Sequence, residues 1–268
     1  MTSTSILLVT VGDAGWDRHL AAFGAQTRRP DQIVVVIDRP TSEADQASMR
    51  DVHPGIDFVF NVENIGLTRS LNRGLAVCRG EFVFRTDDDD LSLPTRIERQ
   101  MAIFESGRAD LVATWATGVT EGREDAPWLI QCPTEDAAIK AALHKRNVLV
   151  HASLAFRRDK VMALGGYDET FRYAQDYGLY LAAIRGGLAF AAVPEALVQR
   201  SYSPNSITLG RRYNQLMFSA AARVVHCAHA GDVADFLKVV VRYAFLAATP
   251  PWLRQARRKL FSFVGKGA

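Results

Sequence analysis

The sequence predicts an α/β protein with a mostly parallel central sheet, helices on both faces of that sheet, and a helical C-terminal extension. In residues 1–117, short β-branched and apolar runs alternate with amphipathic stretches, which is the pattern of repeated strand–helix–strand units. The predicted strands are continuously apolar, as strands covered on both faces are. After residue 209 the apolar spacing is that of helices.

The elements of the first part follow in a regular order. Strands are expected at 6–11, 33–38, 57–60, 81–86 and 110–115, with helices around 17–26, 67–78 and 95–105. Strands joined through helices run parallel, and ligands of such sheets bind beyond the carboxyl ends of the strands. Any site should therefore lie where these strands end.

The second part is less regular. The polar stretch 121–133 predicts a loop, a capped helix follows from Thr134, and 151–208 mixes both patterns. Helices are expected over 209–228 and 233–246. We therefore predict a domain at 1–210, with halves 1–117 and 118–210, and an extension at 211–268.

Composition allows a full hydrophobic core, because 48% of the 268 residues are hydrophobic. Cys78, Cys132 and Cys227 have no paired spacing, which argues against a disulfide framework or zinc site and suits a reducing cytosol. The first apolar run is too short for a signal peptide, and no run has the roughly 18 apolar residues of a membrane span. We expect a cytoplasmic protein.

The C-terminus is a separate electrostatic region, since no acidic residue follows Asp235 although the net charge is only +3. In residues 250–264, Trp252, Leu260 and Phe263 share a helical face that excludes Arg254. This pattern suits the anionic inner surface of the plasma membrane, and a packed helix or dimer contact is the alternative. We expect no nucleic-acid partner.

Four consecutive carboxylates, Asp87 to Asp90, directly follow an apolar strand. Like charges at the exit of a low-dielectric core repel, so a positive partner is expected. In an extended chain Asp87 and Asp89 point to one side, which gives half of an Mg²⁺ or Mn²⁺ site. The alternatives are a solvated cap for the helix that begins near Ser92 and Pro94, and a calcium loop. The calcium loop fails because Leu91 and Ser92 occupy required positions.

Three stretches carry a resemblance to a known family. They are QTRRPDQIVVVID; NVENIGLTRSLNRGLAVCRGEFVFRTDDDDLSLPTRIERQ; and HASLAFRR followed by GGYDETFRYAQDYGLYLAAIRGG. In this order they resemble the family-two glycosyltransferases, inverting enzymes of the GT-A fold, over residues 5–210. The resemblance implies transfer of a sugar, of hexosyltransferase type, from a nucleotide-diphosphate-sugar donor to an acceptor hydroxyl in bacterial polysaccharide or glycoconjugate synthesis.

The resemblance also implies roles for individual residues. Residues 1–117 become the nucleotide-sugar-binding half and 118–210 the acceptor half, which takes a carbohydrate or lipid-linked acceptor. The expected metal ligands are Asp87 and Asp89, with Asp89 the direct ligand of Mn²⁺ or Mg²⁺ and Asp88 close to the donor ribose. The nucleoside is expected at Thr10, Val11 and Asp38, and the catalytic base is expected at Asp176.

Other assignments stay open at this stage. Arg69 either faces the donor phosphates or is solvated. His151 is expected to be a neutral core residue. The aromatic residues could form a sugar-stacking floor or core, with core preferred for Trp115 and neither preferred for Trp128. This group consists of Trp115, Trp128, Tyr167, Phe171 and Tyr173.

The sequence departs from the family pattern in three places. TVGDAG ends the first strand, Gln175 replaces a glutamate before Asp176, and Ser203 stands where many relatives have a histidine ligand. His226 or His229 could substitute, although helical histidines are more often structural. These departures leave a non-catalytic nucleotide-sugar binding module as one alternative. A sugar nucleotidylyltransferase is disfavoured because TVGDAGWDRH is a poor phosphate loop.

Overall fold

The computed structural model describes residues 2–12, 16–202, 212–231 and 233–248. It confirms the predicted α/β class, a mostly parallel sheet with helices and a helical C-terminal part. The described strands are β1 (Thr4–Thr10), β2 (Gln32–Ile37), β3 (Ile56–Phe60), β4 (Phe82–Thr86), β5 (Leu91–Ser92), β6 (Leu111–Thr120), β7 (Arg123–Ile130), β8 (Ala155–Arg157) and β9 (Phe190–Tyr202).

The strands form one sheet in the order β3-β2-β1-β4-β8-β6-β9-β5, and β7 pairs with the far end of β6. Strands β1 to β4 are mutually parallel, whereas β8 is antiparallel to both of its neighbours. The parallel half follows from the strand–helix alternation of the sequence, because parallel neighbours need a crossover connection. It brings the carboxyl ends of β1, β2 and β4 side by side.

Helices cover both faces of the sheet. They are α1 (Ala21–Gly24), α2 (Glu43–Val52), α3 (Leu67–Val77), α4 (Arg96–Glu105), α5 (Asp136–Leu143), α6 (Arg158–Ala163), α7 (Gln175–Arg185), α8 (Arg212–Ala230) and α9 (Val233–Ala248), with 3-10 turns at Trp16–His19 and His151–Ser153. Leu7 and Val9 of β1 belong to one buried cluster, and Ile6 and Leu8 belong to the other. The alternation along one strand therefore supplies a core on each face.

A glycine in α3 permits close packing on the parallel strands. A Cβ at Gly74 would lie 2.3 Å from Cδ1 of Leu7 and 2.8 Å from Cγ2 of Val36. The helix can approach β1 and β2 this closely only without a side chain at that position. This contact fixes α3 behind the strand ends that form the site.

The predicted loop at 121–133 is wrong, because residues Arg123–Ile130 form β7, which pairs antiparallel with β6. All but the last residue of β7 are exposed, so the strand lacks the apolar alternation from which strands are recognised. The helix expected at 17–26 is a 3-10 turn followed by the four-residue α1.

The first helix of the extension packs on the domain. Ala222 of α8 is buried in the same cluster as Leu179 and Ala183 of α7, and Phe218 packs edge-on against Phe171. None of the helices in the described ranges combines the length and hydropathy needed to cross a bilayer. The predicted membrane-binding helix at 250–264 and Ser203 lie outside the described residues.

Candidate active site

The candidate site lies where β1, β2 and β4 end. Leu8 pairs with Thr86 and Thr10 with Ile37, so the residues that follow each strand are neighbours. The acidic run leaves the sheet at this edge, beside Thr10. The predicted donor-side residues are thus brought to one edge of the sheet, as expected for an open α/β fold.

Three of the four carboxylates converge. Oxygen atoms of Asp87, Asp89 and Asp90 lie within 4.8 Å of one another. Asp90 was not predicted to join them, because strict alternation would point it away from Asp87 and Asp89. The chain turns at Asp88 and Asp89 instead of continuing as a strand, and the turn returns Asp90 to the cluster.

Asp88 points to the first strand. Its carboxylate accepts a hydrogen bond of 2.5 Å from Oγ1 of Thr10, and the same Thr10 oxygen accepts one of 2.9 Å from the backbone N–H of Gly12. Burial raises the pKa of Asp88, and the Thr10 hydrogen bond opposes that shift. Thr10 therefore orients Asp88. Val11, the residue after Thr10, is 40% exposed.

Two arginines supply part of the positive charge that the acidic run requires. The buried guanidinium of Arg85 pairs with Asp87, and Nε of Arg200 lies 3.4 Å from Oδ2 of Asp90. Asp90 also accepts a hydrogen bond of 3.2 Å from the backbone N–H of Ser201. Asp88 and Asp89 have no ion pair among the described residues, so a divalent cation would supply further positive charge beside them.

The donor set fits such an ion. All three converging groups are carboxylates, the ligands preferred by Mg²⁺ and Mn²⁺. Burial and the neighbouring charges of Asp87 and Asp88 raise the pKa of Asp89 to about 6, and burial and Asp87 also raise the pKa of Asp90. Although surrounding protein atoms raise its pKa, Asp89 is the most exposed of the three carboxylates and forms no ion pair with any described residue. It is therefore the carboxylate most available to an incoming cation.

Arg85 links the acidic cluster to the second half of the domain. Its Nε and Nη1 atoms are buried and have no hydrogen-bond partner among the described residues. The charge of Arg85 lowers the pKa of both Tyr167 and Asp176, against the raising effect of burial. The sequence signal that could have identified this residue is a charge inside the apolar run FVFRT.

Asp176 lies in the first turn of α7. Its carboxylate accepts a hydrogen bond of 2.7 Å from Nδ2 of Asn147 and another from the backbone N–H of Tyr177. Burial raises the pKa of Asp176, whereas these hydrogen bonds and the charges of Arg85 and Arg200 oppose the rise. The predicted base is thus held by two hydrogen bonds and lies within electrostatic reach of Arg85, which also pairs with Asp87.

Ala174, which precedes α7, has φ 55° and is the single non-glycine residue with positive φ among those described. The left-handed region costs a residue with a Cβ about 1–2 kcal/mol, and such strain is often found at functional sites. Ala174 therefore sets the direction in which α7 presents Gln175 and Asp176.

We expect Ala174→Gly to raise the melting temperature by about 2 °C, because relief of the strain outweighs the greater flexibility of unfolded glycine. Ala102→Gly in α4 is the matched control, since Ala102 is exposed in an ordinary helix. There the substitution should cost about 1 kcal/mol. Calorimetry on both variants measures the difference, and equal losses would show that position 174 is unstrained.

The structure gives Asp38 a packed environment. Asp38 is 3% exposed, and its carboxylate accepts hydrogen bonds from Asn61 Nδ2 (2.7 Å), the Ile65 N–H (2.9 Å) and the Gly66 N–H (3.0 Å). These contacts order the loop that leads into α3. The expected contact of Asp38 with the nucleoside stays a prediction. The next residue, Arg39, is exposed at the same strand end and donates a hydrogen bond of 3.2 Å to the Gly12 carbonyl.

Arg69 is not brought to the acidic cluster by any described contact. Its side chain is 61% exposed, and Nε lies 3.5 Å from Glu169. The predicted contact of Arg69 with the donor phosphates therefore stays a prediction.

The histidines have structural surroundings. His151 Nε2 lies 2.9 Å from the Tyr167 hydroxyl, and burial lowers the His151 pKa well below its usual value, as expected of a neutral core residue. His226 packs against His144, with ring centroids 4.9 Å apart, and His229 bonds to the Val225 carbonyl. Neither helical histidine lies with the carboxylates in the described cluster.

The aromatic residues divide between core and surface. Tyr167 and Phe171 are buried, Tyr173 packs against Phe218, and Trp115 donates to the Cys132 carbonyl at 2.9 Å. Trp128 on β7 is 42% exposed. Only Trp128 of this group therefore offers an open indole surface.

Comparison with known proteins identifies the class of protein as a glycosyltransferase. The family model described as glycosyl transferase family 2 matches residues 17–165, which is more than half of the chain. The chain therefore belongs to glycosyl transferase family 2.

Several known proteins are similar to the chain. It is 30% identical to the amylovoran biosynthesis glycosyltransferase AmsE of Erwinia amylovora, over 75% of both chains. It is 26% identical to the Escherichia coli UDP-Gal:alpha-D-GlcNAc-diphosphoundecaprenol beta-1,3-galactosyltransferase, over 69% of this chain and 67% of that one.

Among solved structures, S. aureus TarS 1-349 in complex with UDP-GlcNAc matches 89% of this chain and 72% of that chain, with a TM-score of 0.66 and 16% identity. A separate match, to the longer S. aureus TarS chain, covers 82% of this chain and 39% of that chain, with a TM-score of 0.62 and 16% identity. At this identity the likeness shows the shared GT-A fold alone.

Proposed function

We propose that the protein is an inverting glycosyltransferase that moves a hexose from a nucleoside-diphosphate donor to an acceptor hydroxyl in bacterial polysaccharide or glycoconjugate synthesis. The observation that carries the proposal is the cluster of three carboxylates at the carboxyl ends of the parallel strands, together with Asp176, whose pKa is affected by the same buried Arg85 that pairs with Asp87. A donor diphosphate and an acceptor hydroxyl need these two groups on opposite sides of the transferred sugar. Names of relatives support UDP-linked hexoses as donors.

On the donor side, Asp87 and Asp89 would hold Mn²⁺ or Mg²⁺, with Asp90 completing or supporting the set. When bound, such an ion stabilises negative charge on the departing diphosphate. Arg85 pairs with Asp87 and Arg200 pairs with Asp90, so both carboxylates are held in place. The chain thus prepares the carboxylates for a cation before the donor arrives.

Thr10 and Asp88 form the adjoining part of the donor site. The Thr10 hydroxyl fixes the Asp88 carboxylate, whose other oxygen remains available to a ribose hydroxyl. Val11 and the strand end near Asp38 would line the nucleoside site, with Asp38 acting through the loop that it orders. Arg69 would contact phosphate only after release from Glu169.

On the acceptor side, Asp176 would accept the proton of the attacking hydroxyl. A partly desolvated carboxylate with a raised pKa is a stronger base than an exposed one, and Asn147 holds it in place. The hydrogen bonds from the Tyr177 N–H and from Asn147, together with the charge of Arg85, oppose this rise in pKa. Direct displacement by that hydroxyl, with the diphosphate leaving on the opposite face, inverts the anomeric centre.

The proposed domain organisation assigns residues 1–117 to the nucleotide-sugar-binding half and 118–210 to the acceptor half. Arg85 and Asp87 come from the first half, whereas Asn147 and Asp176 come from the second. Residues 211–268 would form the extension, of which α8 packs on α7.

A panel of nucleotide sugars with Mn²⁺, assayed for nucleotide release without acceptor, tests the proposal. We expect slow hydrolysis of one or two UDP-hexoses, because water can take the place of the acceptor hydroxyl. Binding without hydrolysis of any donor would indicate a nucleotide-sugar binding module, and no binding at all would refute the donor assignment.

A further inference from the structure

An exposed aromatic platform lies on the same sheet as the acidic cluster. It consists of Trp128 on β7 and Tyr202 at the end of β9, whose ring centroids are 5.0 Å apart. A Cβ at Gly118 would lie 2.3 Å from Cε2 of Trp128, so the indole rests directly on the backbone of β6. Because Gly118 has no side chain, the indole can pack directly against the backbone at this position. Trp128 is still 42% exposed.

The platform is continuous with the candidate active site. Gly118 pairs with Trp128 on one side and with Arg200 on the other, so these three residues face the same side of the sheet. Arg200 contacts the Tyr202 hydroxyl at 3.1 Å and Asp90 at 3.4 Å. One row of side chains therefore leads from the acidic cluster to the indole.

We propose that this platform is an acceptor subsite that stacks a pyranose ring of a saccharide on Trp128. The inference rests on the proposed function. The C–H-rich face of a pyranose is apolar and flat enough to cover an indole, and Arg200 and the Tyr202 hydroxyl can bond to sugar hydroxyls at its rim. β5 begins directly after Asp90, and β7 lies three strand positions from β5, or about 14 Å. The stacked sugar is therefore not the sugar that carries the attacking hydroxyl but another sugar of the same saccharide.

A second copy of the chain is a poorer occupant of this edge. The first three residues of β7, Arg123, Glu124 and Asp125, are charged, and Pro127 lacks the N–H that pairing with another strand requires. Charged residues and proline are the features that protect edge strands from pairing. The platform therefore presents an aromatic surface to a small polar–apolar ligand and not a backbone edge to another strand.

The test measures saccharide binding directly by saturation-transfer NMR, without donor or turnover. The probes are cellobiose, lactose, N,N′-diacetylchitobiose and the methyl glycosides of their sugars. We expect at least one disaccharide to bind the wild-type protein and Trp128→Ala to weaken it about tenfold or more. Trp128→Phe should retain most of the binding, because it keeps an aromatic face.

Leu129→Ala is the matched control, because Leu129 is the next residue of β7, is 52% exposed and points to the opposite face. It should bind the disaccharide like the wild type. Gly118→Ala leaves the indole present but displaces it, and should weaken binding as Trp128→Ala does. Wild-type binding to no probe, or equal binding by the wild type and Trp128→Ala, would overturn the proposal. Because no donor is present, failure of the donor assay would count against the proposed function and not against the platform.

Discussion

Replacement of Asp89 by alanine is expected to abolish donor turnover, and excess chelator should do the same to the wild-type protein. Asp87 and Asp90 are each paired with an arginine, whereas Asp89 forms no ion pair within the described part of the chain. Asp89 therefore contributes the carboxylate that is free to bind a cation. Loss of one ligand from a small oxygen set should greatly weaken the binding of the ion and of the diphosphate bound to it.

Two measurements distinguish this effect from loss of the fold. Calorimetric titration with Mn²⁺ plus UDP should show tight binding by the wild type and little by Asp89→Ala. The melting temperature without metal should not fall, because removing a carboxylate with a raised pKa removes repulsion. Asp51→Ala, which removes an exposed carboxylate on α2, serves as the control and should retain both binding and turnover. Full activity of the wild-type protein in excess chelator would contradict the metal assignment.

The parallel half of the fold could be predicted because its strands are apolar on both faces and its crossovers are helical. β7 could not be predicted, since nearly all of its residues are exposed and its sequence therefore lacks the alternation of apolar and polar residues. Strand alternation predicts Asp87 and Asp89 on one side, but the strand ends at Thr86, and it is the turn at Asp88 and Asp89 that brings Asp87, Asp89 and Asp90 together. Local periodicity thus predicts which residues leave the sheet, and the turn decides where they point.

Long-range pairs were the part of the site that the sequence did not reveal. Arg200 contacts Asp90, which is 110 residues away in the sequence, and no local sequence pattern predicts that the two residues are paired. Arg85 is not identified by the sequence pattern, because one charge within the apolar run FVFRT does not change the prediction of a strand. The sequence predicts that a cation balances the acidic run. In the structure the chain itself supplies part of that positive charge, through Arg85 and Arg200, so the cation has less negative charge to balance.

Replacement of Asp176 by asparagine is expected to lower the rate of sugar transfer by about 10²-fold or more, since a positioned general base contributes about 10² to 10⁴. Asparagine has nearly the same shape, and its carbonyl oxygen can still accept the hydrogen bond from Asn147. Donor binding should be preserved, because none of the described contacts of Asp176 is with the acidic cluster. A single-turnover assay with saturating donor isolates the transfer step.

The pH dependence gives the same assignment an independent test. Burial raises the Asp176 pKa above 3.8, so the ionised base is lost, and the rate of transfer falls, as the pH decreases through that raised pKa. This acid limb should be absent from the residual activity of Asp176→Asn.

The melting temperature of Asp176→Asn also distinguishes a catalytic Asp176 from a purely structural one, because the two roles predict changes in opposite directions. A carboxyl whose pKa is raised by folding binds its proton more tightly in the folded state, so its contribution to stability decreases as the pH rises above 3.8. Asparagine carries no charge and avoids this cost, so Asp176→Asn should melt at or above the wild-type temperature at pH 7. A helix-capping role alone would give a lower melting temperature with near-normal turnover. A folded, donor-bound variant that transfers sugar at more than about a tenth of the wild-type rate would exclude Asp176 as the base.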